Sequence, residues 1–233
     1  FLLRARAILA ATADAGEEAR RLARGETGEL RIGFTSTLPL TPILPAVAQD
    51  YRQRFPHVTL RLREMYTDDQ FEALRRNELD VGFVRYSDTA LPPGVVCQPL
   101  RRDPLRLVMP SRHRLAGEAS VSLAQFRDED FVGYPPSAGT GLRAILNLLC
   151  ARAGFQPRLA QEAGEAITQI GLVAAGFGVA VLPAPLDCVR IDGVRYLPLR
   201  DDGAFLTMAA ATRSDEASER VKQFMAGLLP LVE

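Results

Sequence analysis

The sequence Gly28-Glu29-Leu30-Arg31-Ile32-Gly33-Phe34 follows a segment, residues 1–24, that is rich in Ala, Arg and Glu. Apolar and small residues recur in that segment at heptad spacing on two seams, namely Phe1, Ile8, Ala15 and Leu22, and Ala5, Thr12 and Ala19. This spacing, with charges on the other faces, is typical of a helix that pairs with a partner helix. We therefore expect a dimerising linker helix over residues 1–27 that leads into a β-strand. The alternative is an amphipathic helix that packs on its own domain.

Composition limits the classes of function. The 233 residues are 47% apolar, which is enough for a proper core and for two small lobes rather than one. Lys plus Arg equal Asp plus Glu at 28 each, whereas binding to nucleic acid needs a basic face that displaces counterions. The chain has no starting Met and is interpreted as a piece of a longer protein. We expect any contact with DNA to come only through a missing N-terminal head.

Apolar runs and cysteines indicate the compartment. We find no run of the ~18 apolar residues that a bilayer span needs and no signal peptide, so we expect no membrane partner. The three cysteines, Cys97, Cys150 and Cys188, are odd in number and widely spaced. They favour a reducing cytoplasm over a disulfide framework.

Strands and helices alternate after residue 27. Apolar strands at residues 30–34, 58–64 and 81–85 are separated by amphipathic helices, the second of which Thr67 can cap. A similar unit follows from Leu105 to Pro183, and a strand and an amphipathic helix end the chain. The β-α-β-α-β order predicts an α/β fold with a parallel sheet and helices on its faces.

Four motifs, in this order, resemble the effector-binding region of LysR-type transcriptional regulators over the whole chain. They are Gly-Glu-Leu-Arg-Ile-Gly-Phe at 28–34, Leu-Pro-x-Val-x-x-Asp-Tyr-x-x-x-Phe-Pro at 44–56, Leu-Asp-Val-Gly-Phe at 79–83, and Gly-Leu-Val-Ala-Ala-Gly-Phe-Gly-Val-Ala-Val-Leu-Pro at 171–183. The resemblance implies two Rossmann-like lobes of the periplasmic-binding-protein-like type 2 fold. Lobe I would comprise residues 28–101 and 205–233, and lobe II residues 102–204. The resemblance to this family also implies a homodimer or homotetramer and a winged helix-turn-helix ahead of the linker.

Ligands of open parallel α/β sheets bind beyond the carboxyl ends of the strands. Polar groups there belong to the Thr35-Ser36-Thr37 turn, to Thr67, to Arg85, and to the segment Pro136, Ser137, Ala138, Gly139 and Thr140. Helix N-termini favour anions, and an arginine can bind a carboxylate through two parallel hydrogen bonds. We therefore predict that a small organic carboxylate or another anion is the effector.

The resemblance supports part of this set, because related sensors use the hydroxyl turn, the capping Thr and the turn before the first long helix of the second lobe. Whether Ser36 or Thr37 contacts the ligand stays open, and Phe177 is a further candidate beside the cleft. Asp68 and Asp69 could oppose an anion, which leaves polar or cationic ligands open.

Each candidate also has a structural interpretation. Thr67 could be a plain helix cap, and Arg85 could pair with Asp80 or Asp88 on the surface. Gly176 and Gly178 are interpreted as turn glycines rather than phosphate binders.

Catalytic motifs are missing from the sequence. His57 and His113 have no metal-binding partners in the sequence pattern, and there is no serine elbow. We therefore expect no enzyme activity, no metal site and no cofactor. Three hypotheses remain: the sensing domain of a regulator, a solute-binding protein of a transporter with the same fold, and an anion-dependent enzyme.

Overall fold

The structure is a computed structural model that describes residues 1–86, 91–139 and 141–231. Its helices are α1 (Leu2–Ala23), α2 (Ile43–Arg54), α3 (Thr67–Arg75), α4 (Leu142–Arg152), α5 (Ala166–Ala174) and α6 (Glu219–Leu228). Its strands are β1 (Gly28–Phe34), β2 (Val58–Glu64), β3 (Val81–Tyr86), β4 (Val95–Pro110), β5 (Asp130–Gly133), β6 (Arg158–Glu162), β7 (Ala180–Pro183), β8 (Val194–Pro198) and β9 (Phe205–Arg213). Short 3₁₀ turns connect several of them.

The main sheet is mixed rather than parallel throughout. β1 pairs in parallel with β2 and β3, as the β-α-β order predicts, and Gly33 lies opposite Gly82. β9 then joins β3 in the antiparallel sense, and β4 joins β9, which gives the order β2-β1-β3-β9-β4-β7 with β8 also on β4. β5 and β6 form a separate parallel pair that an isolated bridge between Phe131 and Val179 connects to the segment before β7.

The long strand β4 differs from the prediction, in which the second unit begins only at Leu105 and lobe I ends at residue 101. The 16 residues of β4 are continuous. Pro99 and Pro104 argue locally against a strand because proline lacks an N–H donor. The chain accommodates Pro99 at a register shift between Pro99 and Arg101, where a bulge leaves one residue outside the ladder.

Buried apolar side chains form three clusters. One of them runs from Leu105 to Leu206 in sequence, and we call residues 102–204 lobe II. The other two lie on opposite faces of the β1-β3-β9 sheet, under α2 and α6 on one side and under α3 on the other. We call residues 28–101 with 205–231 lobe I. The clusters suit this division, and its boundaries stay a prediction.

Helix α1 confirms the helix prediction, and the alternative of packing along its own domain is wrong. None of its residues is buried, and Leu3, Ile8 and Leu9 are each more than 60% exposed. Only its carboxyl end is attached, since Gln223 of α6 donates to the Arg24 carbonyl at 3.0 Å. No helix in the described ranges is both long and apolar enough to cross a bilayer.

Gln70 of α3 is a positioning residue that the sequence pattern did not indicate. It is fully buried, and its Nε2 donates to the carbonyls of Met65 and Phe83 at 3.0 and 3.1 Å. Gly33 and Gly82 make room for it, because a Cβ on Gly82 would lie 2.9 Å from Oε1 of Gln70. Gln70 therefore fixes the ends of β2 and β3, where the candidate site begins.

We expect Gly33→Ala to lower the free energy of unfolding by about 1 to 3 kcal/mol, as overpacking of a fitted core does. The added Cβ would lie 2.7 Å from Leu79 Cδ2 and 3.0 Å from Gln70 Oε1. Gly171→Ala is the control, since Gly171 is inside α5 and nothing lies within 4 Å of the new Cβ. That change should stabilise by about 0.5 to 1 kcal/mol. Urea unfolding measures both, and equal effects would contradict the packing argument.

Candidate functional site

A cavity of about 1000 Å³ lies between the lobes. Lobe I contributes the Thr35-Ser36-Thr37 turn after β1 and Arg85 in β3, and lobe II contributes Tyr134 after β5, Leu142 at the start of α4 and Pro183 at the end of β7. These residues lie at or just beyond the carboxyl ends of β1, β3, β5 and β7, or begin a helix. The prediction that Ser36, Thr37 and Arg85 come together at this edge agrees with their placement.

The turn after β1 presents hydrogen-bond donors to the cavity. The backbone N–H groups of Ser36 and Thr37 donate to no described residue, and no described acceptor takes the hydroxyl hydrogen of Thr37. Thr37 is 4% exposed, whereas Ser36 is partly exposed. The free donors make this turn suitable for an anionic oxygen.

Arg85 is buried at the inner wall of the cavity, with 4% of its surface exposed. Its Nε donates to Oγ1 of Thr37 at 2.7 Å, and its Nη1 donates to the carboxylate of Asp103, which is fully buried. Nη2 is also buried and has no hydrogen-bond partner among the residues that the structure describes. Burial lowers the pKa of Arg85, and the Asp103 charge opposes that change.

The charge of Arg85 is only partly balanced. Arg101 Nε lies 2.8 Å from the other carboxylate oxygen of Asp103, so two guanidinium groups share one carboxylate. The alternative interpretation that Arg85 pairs with Asp80 is wrong: Asp80 lies 2.7 Å from Arg31 instead. Asp88 lies outside the described residues. A positive charge therefore remains beside the cavity, with one donor unused.

Thr67 does not cap α3, and it does not line the cavity. Tyr66 is the N-cap residue, and the Thr67 hydroxyl accepts from the Arg85 N–H and donates to the Arg85 carbonyl, both at 3.2 Å. Thr67 is 2% exposed. Its visible role is to hold the backbone of Arg85 against the start of α3.

Pro136 and Ala138, in the segment before α4, lie next to the site rather than in its lining. Pro136 is exposed, Ala138 is buried, and neither lines the cavity. A 3₁₀ turn covers Pro136–Ala138, so Ser137 belongs to that turn, and Thr140 lies outside the described residues. The helix begins two residues later than Thr140, at Leu142, with Gly141 as N-cap in the left-handed conformation.

Phe177 lies at the wrong end of its strand for the cleft. It precedes β7, and the adjacent Val179 bridges Phe131 near the start of β5, so its turn is at the amino ends of these strands. Phe177 is 48% exposed and does not line the cavity. The turn glycines are confirmed, since Gly176 and Gly178 have φ of 86° and 140°.

Two contacts join the lobes across the mouth of the cavity. The Tyr66 hydroxyl donates to the Gly164 carbonyl at 3.1 Å. On the other side, Asp68 packs so closely on Gly139 that a Cβ there would collide with its carboxylate. The lobes are therefore closed on each other around the cavity.

Acidic side chains surround the Tyr66 contact. Glu64, Asp69 and Glu165 line the cavity. Burial, and then the charge of Glu64, raise the pKa of Glu165, while burial and Asp69 raise the pKa of Asp68. The cavity therefore has acidic side chains around the Tyr66 contact and the buried Arg85 at its inner wall. Of the acidic residues near the site, only Asp68 and Asp69 were named from the sequence as groups that could oppose an anion.

The fold and cleft define a two-lobed α/β domain of the periplasmic-binding-protein-like type 2. Residues 23–231 match the family described as the LysR substrate binding domain. The chain therefore belongs to the LysR family of transcriptional regulators.

Known proteins similar to this chain are regulators of the same family. The helix-turn-helix-type transcriptional regulator YnfL of Escherichia coli K12 is 39% identical over 208 residues, which cover 89% of this chain and 69% of YnfL. The effector binding domain of a BenM variant superposes with a TM-score of 0.79 at 28% identity, covering 87% of this chain and 94% of that one. The BenM domain with its effector benzoate gives a TM-score of 0.73 at 29% identity, covering 88% and 90%.

Proposed function

We propose that this chain is the sensing domain of a LysR-type regulator and that its cleft binds a small organic carboxylate. The observation that carries the proposal is the buried Arg85, which lines the cavity and whose Nη2 has no partner among the described residues. Buried donors in proteins are nearly always satisfied, so an unpaired guanidinium nitrogen beside a cavity suggests that a ligand supplies the acceptor.

The surroundings of Arg85 suit a carboxylate. The Thr37 hydroxyl and the N–H groups of Ser36 and Thr37 supply further donors from the facing turn. The N-terminal turn of α4 adds its positive dipole end, since Leu142 lines the cavity. Benzoate, the effector in the BenM domain, is itself a carboxylate. Thr67, Pro136 and Ala138 would act by positioning these groups, and Ser137 and Thr140 stay candidate contacts of the effector.

Ligand binding would shift the balance between two arrangements of the lobes. Nη2 of Arg85 exposes almost no surface in this form, so a ligand oxygen reaches it only after the wall beside it moves. The Tyr66–Gly164 hydrogen bond across the mouth is a contact that such a movement would alter.

In the whole protein the signal would pass through α1 to a DNA-binding head in the bacterial cytoplasm. The exposed apolar seam of α1 supports pairing with a second copy in a homodimer or homotetramer. The alternative, a solute-binding protein of a transporter, shares the fold, but the known relatives described above are regulators. The same relatives argue against an enzyme.

We expect a panel of small carboxylates to include at least one that raises the melting temperature of this chain by several degrees. A ligand at 100 times its Kd adds about 2.7 kcal/mol to the free energy of unfolding. Arg85→Ala is a poor test because it leaves Asp103 buried without its main partner. Arg85→Lys keeps a cation beside Asp103 and removes the forked donor set.

Titration calorimetry with the carboxylate found in this panel measures the effect of Arg85→Lys, which should weaken binding at least tenfold. Ser36→Ala removes the hydroxyl and should weaken binding about three- to tenfold, the value of one ordinary hydrogen bond. Ser214→Ala, on an exposed residue outside the cavity, is the matched control and should bind like the parent. A carboxylate that binds equally to all three variants would show that the cleft around Arg85 is not its site.

A further inference from the structure

We propose that the effector carries an ammonium group as well as a carboxylate, with the two charges at opposite ends of a partly apolar body. This inference rests on the proposed function, since it places the carboxylate at Arg85 and Thr37. It adds a second subsite at the mouth of the same cavity, formed by Glu64 and Asp69 of lobe I and Glu165 of lobe II.

The three carboxylates meet at one contact between the lobes. Tyr66 donates to the carbonyl of Gly164, which directly precedes Glu165, and Glu64 and Asp69 are two and three residues from Tyr66. The charges of all three act on the Tyr66 hydroxyl and, after burial, raise its pKa. Carboxylates from two lobes therefore converge on one side of the cavity.

These carboxylates are not balanced by the protein. None of the three forms a hydrogen bond or ion pair with a residue that the structure describes, whereas Asp80, Glu72 and Glu162 each pair with an arginine. Arg63 and Arg76 also line the cavity, but its lining as a whole holds five acidic residues and three arginines, of which Arg85 is the buried one. A cationic group of a ligand would relieve this excess.

An ammonium suits this mouth better than a metal ion does. It carries three N–H donors and no acceptor, so it can bind oxygens from separate elements, and its attraction extends beyond contact distance. Among the described residues, no group of three or more acidic, His or Cys side chains is arranged to hold a metal. Helix dipoles also favour Asp69 and Glu165 at the starts of α3 and α5, but Glu64 ends a strand and has no such role.

The sheet register sets the distance between the two subsites. Phe34 pairs with Glu64 on β2 and with Phe83 on β3, so Glu64 and Phe83 are two strand spacings apart, roughly 10 Å. Arg85 lies two residues further along β3. This backbone separation favours a ligand whose two charges are further apart than those of an α-amino acid. It fits an amine separated from the carboxylate by several bonds, and Leu142, Ile167 and Leu206 provide apolar walls between.

Two matched pairs of ligands test the inference by titration calorimetry of the chain at neutral pH. The first pair is 6-aminohexanoate and hexanoate, and the second is 4-(aminomethyl)benzoate and 4-methylbenzoate. In at least one pair the amine should bind five- to tenfold more tightly than its amine-free partner. Glu165→Gln should reduce that ratio to less than twofold, while Glu118→Gln, an exposed change in lobe II outside the cavity, should preserve it.

The possible failures are distinguishable. If the amine-free carboxylates bind as tightly as the amines or more tightly, the ammonium subsite is wrong and the carboxylate site stands. A preference for the amines that survives Glu165→Gln unchanged would also overturn the subsite. If no member of either pair binds and the wider carboxylate panel is silent as well, the proposed function fails and the inference fails with it.

Discussion

Asp103→Asn is expected to lower the free energy of unfolding by about 3 to 5 kcal/mol, the usual cost of removing one partner from a buried ion pair. Asp103 is fully buried and lies within ion-pair distance of both Arg85 and Arg101. Asparagine keeps the shape of the aspartate side chain and one acceptor oxygen. The loss of stability therefore measures the cost of leaving two cationic side chains without a counter-charge. Denaturant unfolding of the parent and the variant measures it.

Asp187→Asn is the matched control for this prediction. Asp187 pairs with Arg106 at 2.8 Å, but 36% of its side chain is exposed. Solvent screens such a pair, so the expected loss is at most about 1 kcal/mol. Similar losses in the two variants would contradict the view that burial makes Asp103 special.

Phe224→Ala has the second large expected effect, a loss of about 3 to 5 kcal/mol in the free energy of unfolding. Phe224 of α6 is fully buried, and its ring packs edge-on against Tyr51 of α2 at 5.3 Å and Phe83 of β3 at 6.2 Å. Truncation opens a cavity where three elements of lobe I meet. Thermal and denaturant unfolding of the chain test this.

Phe177→Ala provides the comparison, because Phe177 is 48% exposed in a turn of lobe II. Its loss should stay below about 1 kcal/mol, as for other surface changes. The same variant should also bind carboxylates like the parent, since Phe177 is outside the cavity. An impaired affinity would restore Phe177 to the site.

Local patterns predicted the elements of lobe I well, and long-range pairing explains what they missed. The hydrophobic periodicity of each segment predicts the alternation of strands and helices up to Val84. The length of β4 is not predicted in this way, because Pro99 and Pro104 oppose a strand locally and pairing with β9 stabilises residues 95–104. Tertiary context overrides propensity in such cases.

The candidate site, like the fold, could be predicted in part from local sequence patterns. The turn after β1 and Arg85 follow from the rule that ligands bind at the carboxyl ends of strands. Asp103 was missed because its position beside Arg85 depends on the pairing of β3 with β9 and of β9 with β4. The turn at Phe177 precedes its strand, and the same rule, applied to β7, would have placed it away from the cleft.

The continuity of β4 has a mechanical consequence for the two lobes. β4 crosses the boundary between the lobes while it is paired with β9 in an antiparallel ribbon, with Asp103 opposite Leu206 and Pro104 opposite Phe205. Two-stranded ribbons yield readily to torsion, whereas stretching or splaying them breaks ladder hydrogen bonds. We therefore expect the lobes to rotate relative to each other about the long axis of the ribbon rather than to open as a hinge. Arg85 of β3 and Arg101 of β4 both lie opposite Met208, on either side of β9. A ligand that binds Arg85 would therefore act directly on the ribbon about which the lobes rotate.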